Sequence, residues 1–294
     1  MPKVILFYKF VPLNDPEVIK HWQRALAENL GLKGRILIAD HGINGTLGGE
    51  VKDLKAYVKS TKSHEAFKDI SFKWSDASGD EFGKLIVKVR PEIVTFGVPD
   101  EIEVSNLGVV GGGKKLNPNQ LHKLIKDRGE DVVFFDGRNA HEAEVGKFKN
   151  AVVPDIKFSR DFVKELDKPN YEAIKNNPVV TYCTGGIRCE ILSSLMLNRG
   201  FREVYQLDGG IVKYGEQFGD DGLWEGALYV FDSRVTTKFS NRAKDIGECL
   251  HCSNKTSTYV NCANKSCNKH FLICNKCRIK QLCPACTEAR LPIY

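Results

Sequence analysis

Residues 178–190, PVVTYCTGGIRCE, run an uninterrupted apolar stretch into a pair of glycines and an arginine, with Cys183 and Cys189 on either side of the turn. A short apolar run closed by glycines reads as a strand buried on both faces, the kind that parallel sheets use. A helix from Arg188 to Asn198 follows, so the glycines fall in a strand-to-helix turn. Working outward, the alternation repeats: helix PNQLHKLIKDRG from Pro118, strand DVVFFDGR, helices NAHEAEVG and SRDFVKELD, then PVVTYC, the helix to Asn198 and strand EVYQL. Such alternation implies a doubly wound parallel sheet covered on both faces. Ligands sit beyond the carboxyl ends of such strands, and Cys183 stands at one of those ends.

The first hundred residues have a different pattern. VILFYKF is a strand, Asn14 or Asp15 caps a helix with Val18, Trp22 and Leu26 on one stripe, and Gly31 closes it. GRILIAD and GINGTLGG form two strands joined by a turn, VKDLKAYVKST is a second helix, and ISFKWSD and GKLIVKVRPEIVTF are the last strands. This is the split β-α-β, ferredoxin-like order. The Gly/Asn-rich NLGVVGGGKKLNPN reads as a domain boundary, which gives units at 1–105, 115–226 and 227–294.

A chain of 294 residues with 42% hydrophobic content has material for two or three cores. It lacks the ~18 uninterrupted apolar residues of a membrane span, and MPKVILFYKF lacks a signal core. A soluble, cytoplasmic protein is expected, with no membrane partner. Eight of the ten cysteines crowd into residues 249–286 in close pairs, which in a cytoplasmic chain is metal-ligand spacing and not a disulfide framework. Residues 230–294 hold 11 Lys+Arg against 4 Asp+Glu, so the whole positive excess lies there. That asymmetry suits a polyanionic partner such as nucleic acid, or simply a solvated basic face.

The turn itself narrows the chemistry. A zinc knuckle or a thioredoxin-like pair needs C-x-x-C, and Cys183 and Cys189 are further apart than that. Thr184, Gly185, Gly186 and Ile187 instead form a loop whose amides turn inward, with a helix N-terminus behind it and Arg188 as a fixed cation. Each of these lowers the pKa of Cys183 and stabilises an anion on it, making an activated nucleophile. Tyrosine-phosphatase loops carry their Arg one position later, so this cup is smaller and suits a thiolate, persulfide or oxidised sulfur better than phosphate. Cys189 reads equally as a resolving thiol or as packing.

In the tail the pairs are Cys249-Cys252, Cys262-Cys267, Cys274-Cys277 and Cys283-Cys286. Eight thiols in four pairs match two tetrahedral Cys₄ zinc sites, in cross-braced or sequential pairing, with His251 or His270 as possible substitutes. Lys265, Lys269, Lys276, Arg278 and Lys280 interleave the ligands beside Tyr259 and Phe271, which fits contact with RNA or with protein.

The central segment resembles the rhodanese family: VVFFDGRNAHEAEVGKFKNA and LDGGIVKY match its motifs alongside CTGGIRC. That resemblance implies that Asp136, Arg138 and Glu142 line or brace the pocket; near its strand end, Arg138 suits an ion pair better than catalysis. Taken whole, FYKFVPLND, GRILIADHGINGTLGG, YCTGGIRCE and VNCANKSCNKHFLICNKC make the chain similar to the bacterial rhodanese-domain tRNA uridine hydroxylases. The resemblance implies an acylphosphatase-like first domain, tRNA as partner, and oxygen-dependent 5-hydroxylation of the wobble uridine with Cys183 catalytic. No organic cofactor is evident. The other classes to weigh are a persulfide-carrying sulfurtransferase and a non-catalytic RNA- or protein-binding adaptor.

Overall fold

The computed structural model describes residues 1–289. The first unit comprises β1 (Pro2–Phe10), α1 (Pro16–Asn29), β2 (Lys33–Ala39), β3 (Gly42–Glu50), α2 (Val51–Lys62), β4 (Ser71–Asp76) and β5 (Leu85–Val89). The strand order is β4-β1-β3-β2-β5, with β3 antiparallel to β1 and β2, and β5 parallel to β2. Side chains alternate across each strand. Ile5, Phe7, Ile36, Ile38, Ile43 and Leu47 pack under the helices. Leu6, Tyr8, Arg35, Leu37, Asn44 and Thr46 therefore form the opposite face, with Thr46 between Leu6 and Arg35, and Asn44 between Tyr8 and Leu37.

Two local expectations are corrected. Asp15 is the α1 cap, its carboxylate accepting from the Val18 N–H at 3.0 Å; of the expected stripe Trp22 and Leu26 pack half-buried against the core, but Val18 is exposed and the fully buried positions are Ile19, Gln23 and Ala27. Gln23 is polar and so breaks the hydropathy pattern, yet its side chain is buried because it accepts a hydrogen bond from the Tyr57 hydroxyl. The strand expected over GKLIVKVRPEIVTF stops at Val89. Pro91 has no N–H for a ladder, and the Glu92 carboxylate accepts from the N–H groups of Phe96, Gly97 and Val98, closing a turn.

The second unit is built from β6 (Lys114–Leu116), α3 (Pro118–Arg128), β7 (Val133–Asp136), α4 (Ala140–Val145), α5 (Phe162–Glu165), β8 (Pro178–Tyr182), α6 (Ile187–Asn198), β9 (Glu203–Leu207) and α7 (Gly210–Phe218). Its parallel sheet runs β6-β9-β8-β7. Every residue of β8 is buried. Val179 joins Phe135, Ile191 and Leu195 on one face, and Val180 and Tyr182 join Phe134 and Phe148 on the other. The first of these cores also takes in Phe10, Ala39, Ile93 and Phe96 from the first unit. Phe10, Ile93 and Phe96 each contribute roughly 1.5–3 kcal/mol on burial, so the two units are held together by a shared apolar interior.

In the third unit, β10 (Tyr259–Asn261) pairs antiparallel with β11 (His270–Leu272), and α8 (Pro284–Glu288) closes it. Its interior is mostly cysteine, with Phe271 and Ile273. It docks on the second unit through Tyr259, whose hydroxyl lies 2.6 Å from the His141 carbonyl oxygen and donates to it. Among the described residues no helix is long and apolar enough to cross a membrane.

Candidate active site and metal centres

β8 delivers Cys183 to the carboxyl end of the sheet, and α6 begins at Ile187 behind it. Gly186 caps that helix at φ 98, a region costly for any residue with a Cβ. At Gly185 a Cβ would lie 2.6 Å from Leu6 Cδ2, so a larger residue there would have to displace the Leu6 side chain of the first sheet. The turn aims its amides at sulfur, and the Gly186 N–H donates to Cys183 Sγ at 3.1 Å. The loop is held from behind by α7, where the N–H groups of Ile211 and Val212 donate to the carbonyls of Cys183 and Thr184 at 3.0 and 3.1 Å.

Burial pushes the Cys183 thiol up. The Cys189 S–H, the Arg188 charge and the backbone N–H groups of Cys189 and Arg188 more than offset this and bring it down to about 5. Cys189 moves the other way, pushed well up by burial, by its bond to Cys183 and by the thiolate charge. The two cysteines thus divide into an anion and a neutral donor to it. Alkylation of Cys183 by iodoacetamide, followed by peptide mass spectrometry, is expected to titrate near pH 5 and to be flat through neutrality. A rate that keeps rising through about pH 8.5, as an ordinary thiol's does, would contradict the cup.

Arg188 does not float in the cavity. It makes a bidentate pair with Glu142 at 2.5 and 2.9 Å, approaches Thr184 Oγ1 at 3.4 Å, and lies 5.8 Å from the centre of the Phe231 ring. Burial pushes the Glu142 carboxyl up, but the Arg188 charge and hydrogen bonds outweigh it and hold the group below its ordinary range. Arg138 and Asp136 are fully buried and lie behind the cavity wall. Arg138 Nε and Nη2 donate to Asp136 at 2.9 and 2.6 Å, and its other bonds reach the carbonyls of Glu142 and Gly146 at 3.2 and 2.6 Å. The Tyr182 hydroxyl adds a third donor to Asp136 at 2.8 Å. This network fixes α4, and α4 carries Glu142. Deleting one member of such a buried pair costs ~3–5 kcal/mol.

The cup is roofed by the first unit, an arrangement that sequence reasoning did not reach. The second face of the β1-β3-β2 sheet lies over the loop and forms with it a half-open cavity of about 550 Å³. Arg35, Asn44 and Thr46 line it from above and Cys183, Thr184, Gly185, Ile187 and Arg188 from below, with Asn139, Phe158, Arg160 and Phe231 at its sides. Behind the loop, the Tyr8 hydroxyl donates to Glu190 at 3.1 Å, and Lys115 pairs with Glu190 at 2.6 Å. The one available signal was the alternation in β1 and β3, which leaves a second half-apolar face that the two helices do not cover.

The eight tail cysteines form two clusters, Cys249-Cys252-Cys274-Cys277 and Cys262-Cys267-Cys283-Cys286, with all Sγ atoms in each within 4.8 Å of one another. Pairing is therefore cross-braced, the first pair with the third and the second with the fourth. Sγ separations of 3.5 Å (Cys252–Cys274) and 3.8 Å (Cys267–Cys283) suit thiolates around one tetrahedral ion with metal–sulfur bonds of about 2.3 Å. His251 and His270 are not ligands. The first faces the Leu282 carbonyl at 3.0 Å, and the second Tyr229 at 3.3 Å and Asn261 at 2.7 Å. Each cluster could hold one metal ion.

Fold and site together define a rhodanese-like domain that presents a cysteine thiolate beneath an acylphosphatase-like sheet, followed by a module with two cysteine clusters that could each hold a metal ion. Family models agree in sequence: a UPF0176 acylphosphatase like domain matches residues 2–93, a rhodanese-like domain residues 117–217, and a rhodanase C-terminal model residues 225–289. Relatives from Corynebacterium kroppenstedtii (56% identical, 98% of this chain and 99% of theirs), Arthrobacter sp. strain FB24 (59%; 94% and 94%) and Rhodococcus opacus (58%; 94% and 97%) are each named tRNA uridine(34) hydroxylase. The chain belongs to the tRNA uridine(34) hydroxylase family.

Proposed function

We propose that this chain hydroxylates C5 of the uridine at position 34 of tRNA, with Cys183 as nucleophile and molecular oxygen as co-substrate. The observation that carries the reading is identity of 56% across 98% of the chain with a relative bearing that activity in its name. The geometry supports it chemically. Uracil is an enone, and a thiolate adding at C6 sends its electron pair to C5 and the C4 oxygen. Arg188 and the loop N–H groups stabilise the negative charge as it develops. C5 then attacks an electrophilic oxygen; loss of the C5 proton and expulsion of the Cys183 thiolate restore the ring. With dioxygen, one oxygen atom enters C5 and the other leaves as water, and an external donor supplies two electrons. No organic cofactor enters this scheme.

The two cysteine clusters would each hold a zinc ion, which organises a unit that has little other core. Lys265, Lys269, Lys276, Arg278 and Lys280 are exposed around the clusters and suit the phosphates of a tRNA. A tRNA substrate implies a cytoplasmic enzyme. The test is nucleoside analysis of tRNA from a strain lacking the gene: 5-hydroxyuridine derivatives should vanish and return when the wild-type chain is restored. Unchanged levels in the deletion strain would refute the assignment.

A further inference from the structure

We propose that the cavity between the first sheet and the thiolate loop is a pyrimidine-base pocket in which the Asn44 side-chain carbonyl accepts from uracil N3–H and so excludes cytosine. The proposal rests on the uridine reading above and goes further, because it gives the first unit a part in base choice.

The orientation of the Asn44 amide is set by its own contact. Asn44 Nδ2 donates to the Ile93 carbonyl oxygen at 2.9 Å, and a carbonyl can only accept, so the nitrogen must face Ile93. The oxygen is left as a fixed acceptor on a half-buried residue that lines the cavity. Uracil carries a donor at N3, whereas cytosine carries an acceptor there, so a fixed acceptor sorts the two.

Ring geometry agrees with this placement. N3 and C6 lie across the pyrimidine ring from each other, and Asn44, on the first sheet, and Cys183, on the loop, both line the pocket. The thiolate must meet C6 perpendicular to the ring plane, which leaves the in-plane edge at N3 free to take the Asn44 oxygen. Beside Asn44, the cross-strand pair Arg35 and Thr46 offers donors to the flanking carbonyl oxygens. Phe231 and Phe158, 58% and 46% exposed, stand at the rim with Arg188 and Arg160 against their rings and can stack the base or its neighbour. A volume of about 550 Å³ suits one nucleoside.

The test is equilibrium binding of anticodon stem-loops carrying uridine, cytidine or N3-methyluridine at position 34 to full-length Cys183→Ser protein, read by fluorescence anisotropy. Cytidine and N3-methyluridine should bind about tenfold to hundredfold more weakly than uridine. Asn44→Ala should erase most of that difference by losing affinity for uridine alone. Equal binding of uridine and N3-methyluridine by the Cys183→Ser protein overturns the proposal without any change at Asn44, so it stays falsifiable if Asn44→Ala does not fold. Full selectivity in a folded Asn44→Ala protein overturns it too. Turnover of the uridine stem-loop by wild-type protein is scored separately: selective binding without product sinks the hydroxylase reading and spares the pocket, and product without selectivity does the reverse.

Discussion

Cys183→Ala protein is expected to fold as the wild type does and to form no 5-hydroxyuridine in tRNA, a fall in turnover of at least about 10⁴-fold. Cys183 is fully buried at the end of β8, and alanine is small enough to take its place, so circular dichroism and melting should change little. The neighbouring thiol cannot substitute. Cys189 is held protonated by burial and lies in the first turn of α6, facing the Cys183 sulfur and not the cavity. Liquid chromatography of nucleosides after incubation with tRNA checks this; retention of even a tenth of wild-type turnover would place the nucleophile elsewhere.

The second large effect concerns the zinc proposed for the two cysteine clusters, and it is read by removing that metal. Structural zinc sites of this type contribute about 10–16 kcal/mol of binding energy that is also folding energy. That exceeds what the few apolar side chains around Phe271 and Ile273 can supply. A strong chelator, or Cys283→Ser at a fully buried ligand position, should unfold the segment after Trp224 and expose it to protease while the first two units stay resistant. Because the clusters are cross-braced, loss of one ion should loosen the other site as well. A chelated protein that keeps its protease pattern would show that the cysteines are not the scaffold.

The buried strand, the double-glycine turn and the helix after it were legible in the sequence because each depends on local chemistry: apolar content, permitted φ and capping. The thiol pairs were legible for the same reason. Their cross-bracing was not, since spacing within a pair is local while the partner pair is chosen by the β10–β11 hairpin that threads between them. α7 was not among the expected helices: it opens on Gly210 after a Gly209 cap, two poor helix formers whose use is to bring the Ile211 and Val212 amides against the Cys183 loop. The roof of the cavity was missed for a deeper reason. Alternation in β1 and β3 separates Leu6, Tyr8, Asn44 and Thr46 from the core residues, but period alone does not say what covers the second face. Only the shared packing of Phe10, Ile93 and Phe96 with the second unit brings that face over Cys183.

The central claim is that the Cys183 thiolate attacks uridine C6, and tRNA containing 5-fluorouridine tests it most directly. After C6 addition and oxygen transfer, a C5 that bears fluorine has no proton to lose, so the sulfur–carbon bond cannot be released. Under turnover conditions the account predicts a covalent protein–RNA species whose digest carries the modified nucleotide on the Cys183 peptide. No adduct in an otherwise active reaction, or intact-protein mass showing instead a persulfide or sulfenate on Cys183 that is consumed during turnover, would contradict it.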